Sequence, residues 1–221
     1  MQIWIGASDN KQLVDAQRWV ADKASRRFVQ NLESWALSKE SEWGECYIFI
    51  ETFLPQGKRF TGTHNQVDLL ICFSSIAALC ELKGYAEAMS VEELRRTVNQ
   101  IRGQRDWITD LTHGKREERN IYPFLFLHRM FPHNVKLTAK RLIDVFGAME
   151  IWPVGGHDKL RGERLSIRPL YLTEALEDRL SKNPHPSAMA SYGLQQLLHT
   201  EIVKNESTVL PFANFEDAKN F

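Results

Sequence analysis

The sequence predicts an α/β fold in which a mixed central sheet is flanked by helices. Apolar runs of strand length recur at 46–55, 66–73 and 77–83. Segments with the spacing of an amphipathic helix precede these runs and follow them. A further apolar run, IYPFLFLHRM (121–130), comes after the second helical segment. The predicted order is therefore helix, three strands, helix, strand.

The first predicted elements are a helix and a strand. Residues 11–38 carry apolar side chains at helical spacing, which predicts one long amphipathic helix or two short ones. CYIFIETFLP (46–55) predicts a strand, and Pro55-Gln56-Gly57 ends it.

Two more strands and a second helix come next. The apolar runs at 66–73 and 77–83 predict strands that pair as a hairpin through a turn near Ser74. A helix is predicted from Val91 to Leu111, because Ser90 is a suitable N-cap for the periodic segment that follows it.

Beyond the strand at 121–130 the pattern becomes mainly helical. It predicts a helix at 137–147, a short strand at 149–154, another strand or an extended segment at 164–172 and helices within 173–204. The last residues, LPFANFEDAKNF, resemble the beginning of another helix, as in the front portion of a longer chain. We therefore divide the chain into a domain at 1–134 and a mainly helical extension at 135–221, which completes the fold or links it to a partner.

Composition sets broad limits on function. The chain has 221 residues, of which 43% are hydrophobic, enough for a substantial core. Its 28 basic and 28 acidic residues cancel, so a surface that binds phosphate has to be local. Cys46, Cys72 and Cys80 lie in apolar runs without CxxC spacing, which favours reduced core thiols. Without a signal pattern or a run of transmembrane length, we expect a cytoplasmic protein with no membrane association.

Three charged residues interrupt the two central apolar strands. Asp68 opens the run VDLLICF, and Glu81 and Lys83 lie in AALCELKGY. Residues two apart in a strand share a face, so Glu81 and Lys83 project together, and hairpin pairing brings Asp68 beside them. Charges are rare in strands that are apolar on both faces. The alternative is an exposed structural pair, which contributes about 0–1 kcal/mol.

This combination of groups suits phosphodiester hydrolysis. Asp68 and Glu81 offer the hard oxygen ligands that Mg²⁺ or Mn²⁺ prefers, and the backbone carbonyl of Leu82 is a further candidate ligand. A bound ion polarises the scissile phosphate and lowers the pKa of a bound water. Lys83 is expected to hold the attacking water and to offset the charge that develops on the phosphorane. The sequence therefore predicts a metal-dependent nuclease.

The same residues carry a resemblance to a known family. The order helix, strand, strand with Asp68, strand with Glu81-x-Lys83, helix resembles the core of the PD-(D/E)XK nucleases, a restriction-endonuclease-like fold. The stretch NQVDLLICFSSIAALCELKGY resembles the NERD (nuclease-related) domain, and the likeness covers residues 25–130. It implies that Asp68 and Glu81 are metal ligands and that Lys83 is the catalytic lysine.

The resemblance also implies two supporting polar residues. The family has a glutamate on the helix before the first strand; Glu33 stands at about that place, although Leu32 precedes it where the family has glycine, and Glu45 is the competing candidate. The family also has a glutamine on the helix after the Glu-x-Lys strand, and Gln100 matches it, with Gln104 one turn later. It would orient the lysine or bind a phosphate. For each residue the alternative is a side chain that simply faces solvent.

Partners follow from the same interpretation. Arg102 and Arg105 are candidate phosphate contacts, against the simpler view of a solvated helix face. DNA is the expected substrate, with RNA as the alternative. NERD-like domains accompany helicase or kinase modules and defence systems, which implies a larger assembly or a homodimer. Two alternatives remain: an inactive module that binds nucleic acid or protein on the same fold, and an unrelated α/β domain with a structural Glu-x-Lys pair.

Overall fold

The computed structural model describes residues 1–7, 23–54, 66–74, 76–83, 91–111, 121–127, 150–153, 193–204 and 209–220. Within these ranges the helices are α1 (Lys23–Trp43), α2 (Val91–Leu111), α3 (Leu194–Val203) and α4 (Phe215–Lys219). The strands are β1 (Gln2–Gly6), β2 (Tyr47–Phe53), β3 (Gln66–Cys72), β4 (Ala77–Lys83), β5 (Ile121–Leu127), β6 (Glu150–Pro153) and β7 (Val209–Phe212).

The strands of the described ranges form one mixed sheet in the order β6-β5-β4-β3-β2-β1-β7. Strand β3 is antiparallel to both of its neighbours, β2 and β4. Strand β1 is parallel to β2, and β5 is parallel to β4 and to β6. Strand β7 lies at one edge, antiparallel to β1. The predicted α/β fold with a mixed sheet is therefore confirmed.

Helices cover both faces of this sheet. Leu32 of α1 and Phe215 of α4 form one core cluster with alternate residues of the central strands, including Ile48 and Ile50. Helices α2 and α3 pack against the intervening residues, including Phe49, in a second cluster. Successive strand residues point to opposite faces, so strands that are apolar throughout are buried between two helical layers.

The elements predicted between the first helix and β5 agree with the structure. Helix α2 has the bounds predicted for it, 91–111, and β3 and β4 form the expected hairpin. The strands predicted at 46–55 and 121–130 appear as β2 and β5. The helix predicted at 11–38 is described from Lys23 onward, as α1, and continues to Trp43.

The C-terminal segment contributes to the same sheet. The strand predicted at 149–154 is β6, and α3 is the described part of the helices predicted within 173–204. The segment LPFANFEDAKNF was predicted to begin a helix, but residues 210–212 belong to β7 and the helix α4 begins at Phe215. The helix predicted at 137–147 and the extended segment at 164–172 lie outside the described residues. Strands β1 and β7 were not predicted, and they pair with each other across almost the whole length of the chain.

Two further expectations concern membranes and cysteines. No helix in the described ranges combines the length and the apolar character that a membrane span requires. Cys46, Cys72 and Cys80 are buried and form no disulfide, as expected of core thiols. Burial raises the pKa of each of the three thiols well above the ordinary value for cysteine.

Candidate active site

The β3–β4 hairpin brings Asp68 and Glu81 together. Its ladder pairs Leu69 with Cys80. The next residues in the same register are Asp68 and Glu81, and opposed residues of antiparallel strands have Cβ atoms about 5 Å apart. The negative charge of Asp68 adds to burial in raising the pKa of the Cys80 thiol, which agrees with a position beside β4. The two predicted metal carboxylates are thus neighbours.

Glu81 is a buried carboxylate on the side of the sheet that α2 covers. Only 1% of its surface is exposed. It stands two residues after Leu79, which packs in the α2 cluster. The side-chain Nε2 of Gln100 on α2 donates a hydrogen bond to Oε2 of Glu81 at 3.4 Å. A buried charge is unfavourable unless polar groups contact it, so this bond helps to hold the carboxylate in the core.

Gln66, the first residue of β3, joins the same network. Its backbone carbonyl accepts hydrogen bonds from the side-chain amides of Gln100 at 3.3 Å and of Gln104 at 2.7 Å. Gln104 is 1% exposed, so its bond lies in the core between α2 and the sheet. The start of β3, two residues before Asp68, is therefore held against α2 by two glutamines.

Glu51 of β2 lies beside the candidate site and was not predicted as part of it. The β2–β3 ladder pairs Ile50 with Leu69 and Thr52 with Val67, so the same register sets Glu51 opposite Asp68. Glu51 has a positive φ of 50°. Among the described residues, no other residue except glycine has a positive φ. For an L-residue this conformation costs about 1–2 kcal/mol.

Glu51 also contacts Gln66 directly. The side-chain Nε2 of Gln66 donates a hydrogen bond to Oε2 of Glu51 at 2.6 Å. By register, Glu51, Asp68 and Glu81 occupy one row across β2, β3 and β4. A charged residue within the apolar run CYIFIETFLP was the available sequence signal for Glu51, and it resembles the signal that identified Glu81.

Lys83 and Leu82 are located by the backbone of β4. In the parallel ladder with β5, Leu82 pairs with Phe126 and Lys83 pairs with Leu127. Lys83 is the last residue of β4, two positions beyond Glu81. The Glu-x-Lys motif therefore stands at the end of a central strand with β3 on one side and β5 on the other.

The surroundings of Glu33 and Glu45 differ from those of Asp68 and Glu81. Glu33 lies on α1, the layer opposite to α2, and its pKa is raised by burial and then by the negative charges of Asp217 and Glu216 on α4. Glu45 is exposed after the end of α1, and its charge and hydrogen bond add to burial in raising the pKa of Tyr47. Their role as metal ligands stays a prediction.

The two candidate phosphate-binding arginines lie on α2 near Gln104. Arg105 donates through Nε and Nη2 to Oδ1 of the adjacent Asp106, at 3.2 and 3.0 Å. Its side chain is 26% exposed and that of Asp106 is 63% exposed. Arg102 is partly exposed, two residues after Gln100. A phosphate can compete for Arg105 because exposed ion pairs of this kind are weak.

Comparisons of the chain with protein-family models, with curated proteins and with solved structures find no match. The resemblance to NERD domains therefore rests on the motif residues themselves.

The donor set suits a hard divalent cation with few protein ligands. Across the described residues, no three His, Cys, Asp or Glu side chains are grouped as a metal site. Asp68 and Glu81 are the two carboxylates that the sequence predicts as ligands of the ion. Mg²⁺ is commonly bound by one or two carboxylates, and water and phosphate oxygens complete its coordination. The residues present fit Mg²⁺ or Mn²⁺ in this mode, and they do not form a closed cage of protein ligands.

Proposed function

We propose that this chain is a metal-dependent nuclease that hydrolyses DNA phosphodiester bonds on a restriction-endonuclease-like core of the NERD type. The observation that carries the proposal is the β3–β4 ladder, which ends at the pair Leu69–Cys80 and, continued by one residue, sets Asp68 opposite Glu81, together with the burial of Glu81 against Gln100. The element order α1, β2, β3, β4, α2 supports this core, because it repeats the order of helix, three strands and helix that the PD-(D/E)XK nucleases share.

Each residue of the site has a distinct role in this proposal. Asp68 and Glu81 hold Mg²⁺ or Mn²⁺, with the Leu82 carbonyl as a further ligand. The bound ion supplies Lewis-acid stabilisation of the negative charge on the phosphate. The ammonium group of Lys83 holds the attacking water and offsets the charge that develops on the phosphorane. Gln100 orients the Glu81 carboxylate through its hydrogen bond.

Substrate binding is local in this proposal. The chain has no net charge, so affinity for nucleic acid depends on cations close to the site. Arg102 and Arg105 on α2 serve as phosphate contacts, and Arg105 exchanges its bond with Asp106 for one with the substrate. DNA is the proposed substrate and RNA the alternative. A cytoplasmic location, a homodimer and a defence or helicase-linked assembly belong to the same proposal.

A second candidate function is a catalytically inactive module that binds nucleic acid or protein. The position of Glu33, near acidic residues of α4 on the layer opposite to α2, favours it, because Glu45, exposed after the end of α1, is then the remaining candidate for the family's glutamate before the first strand. The third interpretation, an unrelated domain with a structural Glu-x-Lys pair, would be preferred if Asp68 and Glu81 were apart. Their register makes them neighbours.

Cleavage assays test the first function against the second. The purified chain is incubated with linear, circular and single-stranded DNA in Mg²⁺, Mn²⁺ or EDTA, beside Lys83→Ala and a matched control, Lys204→Ala, at an exposed lysine after α3. We expect cleavage that requires the metal and that falls about a hundredfold or more in Lys83→Ala only. Absence of cleavage, together with DNA binding that Lys83→Ala leaves unchanged, would favour the binding module.

A further inference from the structure

Glu51 has a conformation that its place in the sheet does not require. Its flanking residues Ile50 and Thr52 are fully buried and pair with β3, whereas Glu51 itself has the left-handed φ of 50°. Glycine adopts this conformation without a steric penalty, and a glutamate does not. Strained residues persist where surrounding contacts hold them, and they are frequent at functional sites. One contact that holds Glu51 is its hydrogen bond from Gln66.

We propose that Glu51 is a positioning residue of the metal site and acts through Gln66. The side chain of Gln66 is held by Glu51 on β2, and its carbonyl is held by Gln100 and Gln104 on α2. Gln66 is thereby fixed by the neighbouring strand β2 and by the covering helix α2. Asp68 follows two residues later and lies between the paired positions Leu69 and Val67, which sets it opposite Glu51, so its backbone position depends on this arrangement.

The network also connects the two carboxylates of the site. Gln100 donates both to the Gln66 carbonyl and to Glu81. A shift of Gln66 would therefore disturb Asp68 through the chain and Glu81 through Gln100. Groups that orient metal ligands in this way typically change metal affinity when they are substituted. The inference depends on the proposed function only in assuming that Asp68 and Glu81 bind a divalent cation.

A carboxylate at position 51 has two effects that can be separated. It accepts a charge-assisted hydrogen bond at 2.6 Å, which is stronger than a bond to a neutral amide. It also adds a negative charge to the row that contains Asp68 and Glu81. Glu51→Gln removes the charge but keeps an acceptor of similar shape. Gln66→Leu removes the side-chain donor and keeps the backbone carbonyl that the α2 glutamines contact.

The test is Mn²⁺ binding to the full chain, measured by titration calorimetry without DNA, together with thermal unfolding. Glu51→Gln and Gln66→Leu should each weaken Mn²⁺ binding about tenfold. The control Glu42→Gln, at an exposed glutamate of α1, should bind as the unmodified chain does. Glu51→Gly should unfold at the same or a higher temperature than Glu51→Gln, because the strain at φ 50° is relieved, and still bind Mn²⁺ weakly.

The outcomes separate this inference from the nuclease proposal. Unchanged Mn²⁺ affinity in Glu51→Gln and Gln66→Leu, or an equal loss in Glu42→Gln, overturns the role of Glu51 even if DNA is cleaved. Absence of Mn²⁺ binding by the unmodified chain overturns it as well. Mn²⁺ binding that these substitutions weaken, in a protein that cleaves no DNA, supports the role of Glu51 and contradicts the nuclease.

Discussion

The side-chain amide of Gln100 on α2 donates a hydrogen bond to the buried carboxylate of Glu81 on β4, over 3.4 Å. Gln100 also donates to the Gln66 carbonyl at 3.3 Å, and Gln104, one turn later on the same helix, donates to that carbonyl at 2.7 Å. The two glutamines thus share one acceptor on β3 from one face of α2. Gln100 joins α2 both to a proposed metal ligand and to β3, whereas the bond of Gln104, which is 1% exposed, lies in the core.

The contacts of the two glutamines predict different consequences of the same substitution by leucine. Gln104→Leu should lower the free energy of unfolding by about 1 kcal/mol, because a buried hydrogen bond to the Gln66 carbonyl is lost. Gln100→Leu should have a smaller effect on stability but reduce DNA cleavage about tenfold, because Glu81 loses its orientation. Urea unfolding and cleavage rates of both variants check this. A Gln100→Leu variant with full activity would remove Gln100 from the site.

Gly44, which follows α1, approaches Ser74 in the β3–β4 turn, and Gly193, which precedes α3, serves as a control for its substitution. Both have positive φ, of 84° and 75°. A Cβ atom at Gly44 would lie 2.2 Å from Oγ of Ser74, whereas one at Gly193 would meet no atom within 4 Å. Ser74 is itself fixed, since its carbonyl accepts from the Leu194 amide at 2.7 Å and its Oγ from Gln195 at 3.0 Å.

Gly193→Ala should therefore cost about 1 kcal/mol of stability, the strain of a left-handed L-residue. Gly44→Ala should cost clearly more, because the clash with Ser74 adds to that strain. Denaturant unfolding of the two variants compares them directly. Equal losses of stability would contradict the close approach of Gly44 to Ser74.

His199 predicts a dependence of stability on pH. Its ring on α3 contacts Trp4 and Tyr47, with centroids 4.3 and 5.5 Å apart, and its buried Nε2 has no hydrogen-bond partner among the described residues. Burial lowers the pKa of His199 from its ordinary value of 6.5. The unfolded chain therefore binds this proton at a higher pH than the folded chain does.

Stability from neutral His199 should be complete above the ordinary pKa of 6.5 and fall as the pH drops through the lower pKa of the folded state. Urea midpoints measured from about pH 8 to pH 5 check this in the unmodified chain and in His199→Phe. In the variant, the urea midpoint should depend less steeply on pH in the acidic range. An identical slope in both proteins would exclude His199 as its source.

The buried cysteines predict low thiol reactivity. Cys46, Cys72 and Cys80 are each at most 1% exposed, and burial raises the pKa of each thiol. Because the thiolate is the reactive form, a thiol-specific reagent should modify the folded protein slowly and all three residues once it is unfolded. Rapid modification of one cysteine in the folded state, located by mass spectrometry, would contradict its buried position.

Local patterns predicted the centre of the fold. The β3–β4 hairpin follows from two short apolar runs joined by a turn, and its register follows from the polar positions in them. Asp68 could therefore be placed beside Glu81 without coordinates. The bounds of α2 followed in the same way from helical periodicity and a suitable N-cap.

Features that depend on distant parts of the chain were not predicted. Strand β1 is only five residues long and forms through pairing with β2 and with β7, which lies near the opposite end of the chain. Glu33 has acidic neighbours from α4 that no local pattern reveals. The positive φ of Glu51 could not be predicted either, because glycine is the residue that usually indicates a left-handed backbone and glutamate does not.

The most direct test of the account is the rate of DNA cleavage as a function of Mg²⁺ concentration, measured for the unmodified chain, Asp68→Asn and Glu81→Gln, with DNA binding measured in parallel. We predict cleavage by the unmodified chain that rises with Mg²⁺. Each substitution should reduce it about a hundredfold or more while DNA binding persists. Absence of cleavage by the unmodified chain, or undiminished cleavage by both variants, would contradict a metal-dependent nuclease site at Asp68 and Glu81.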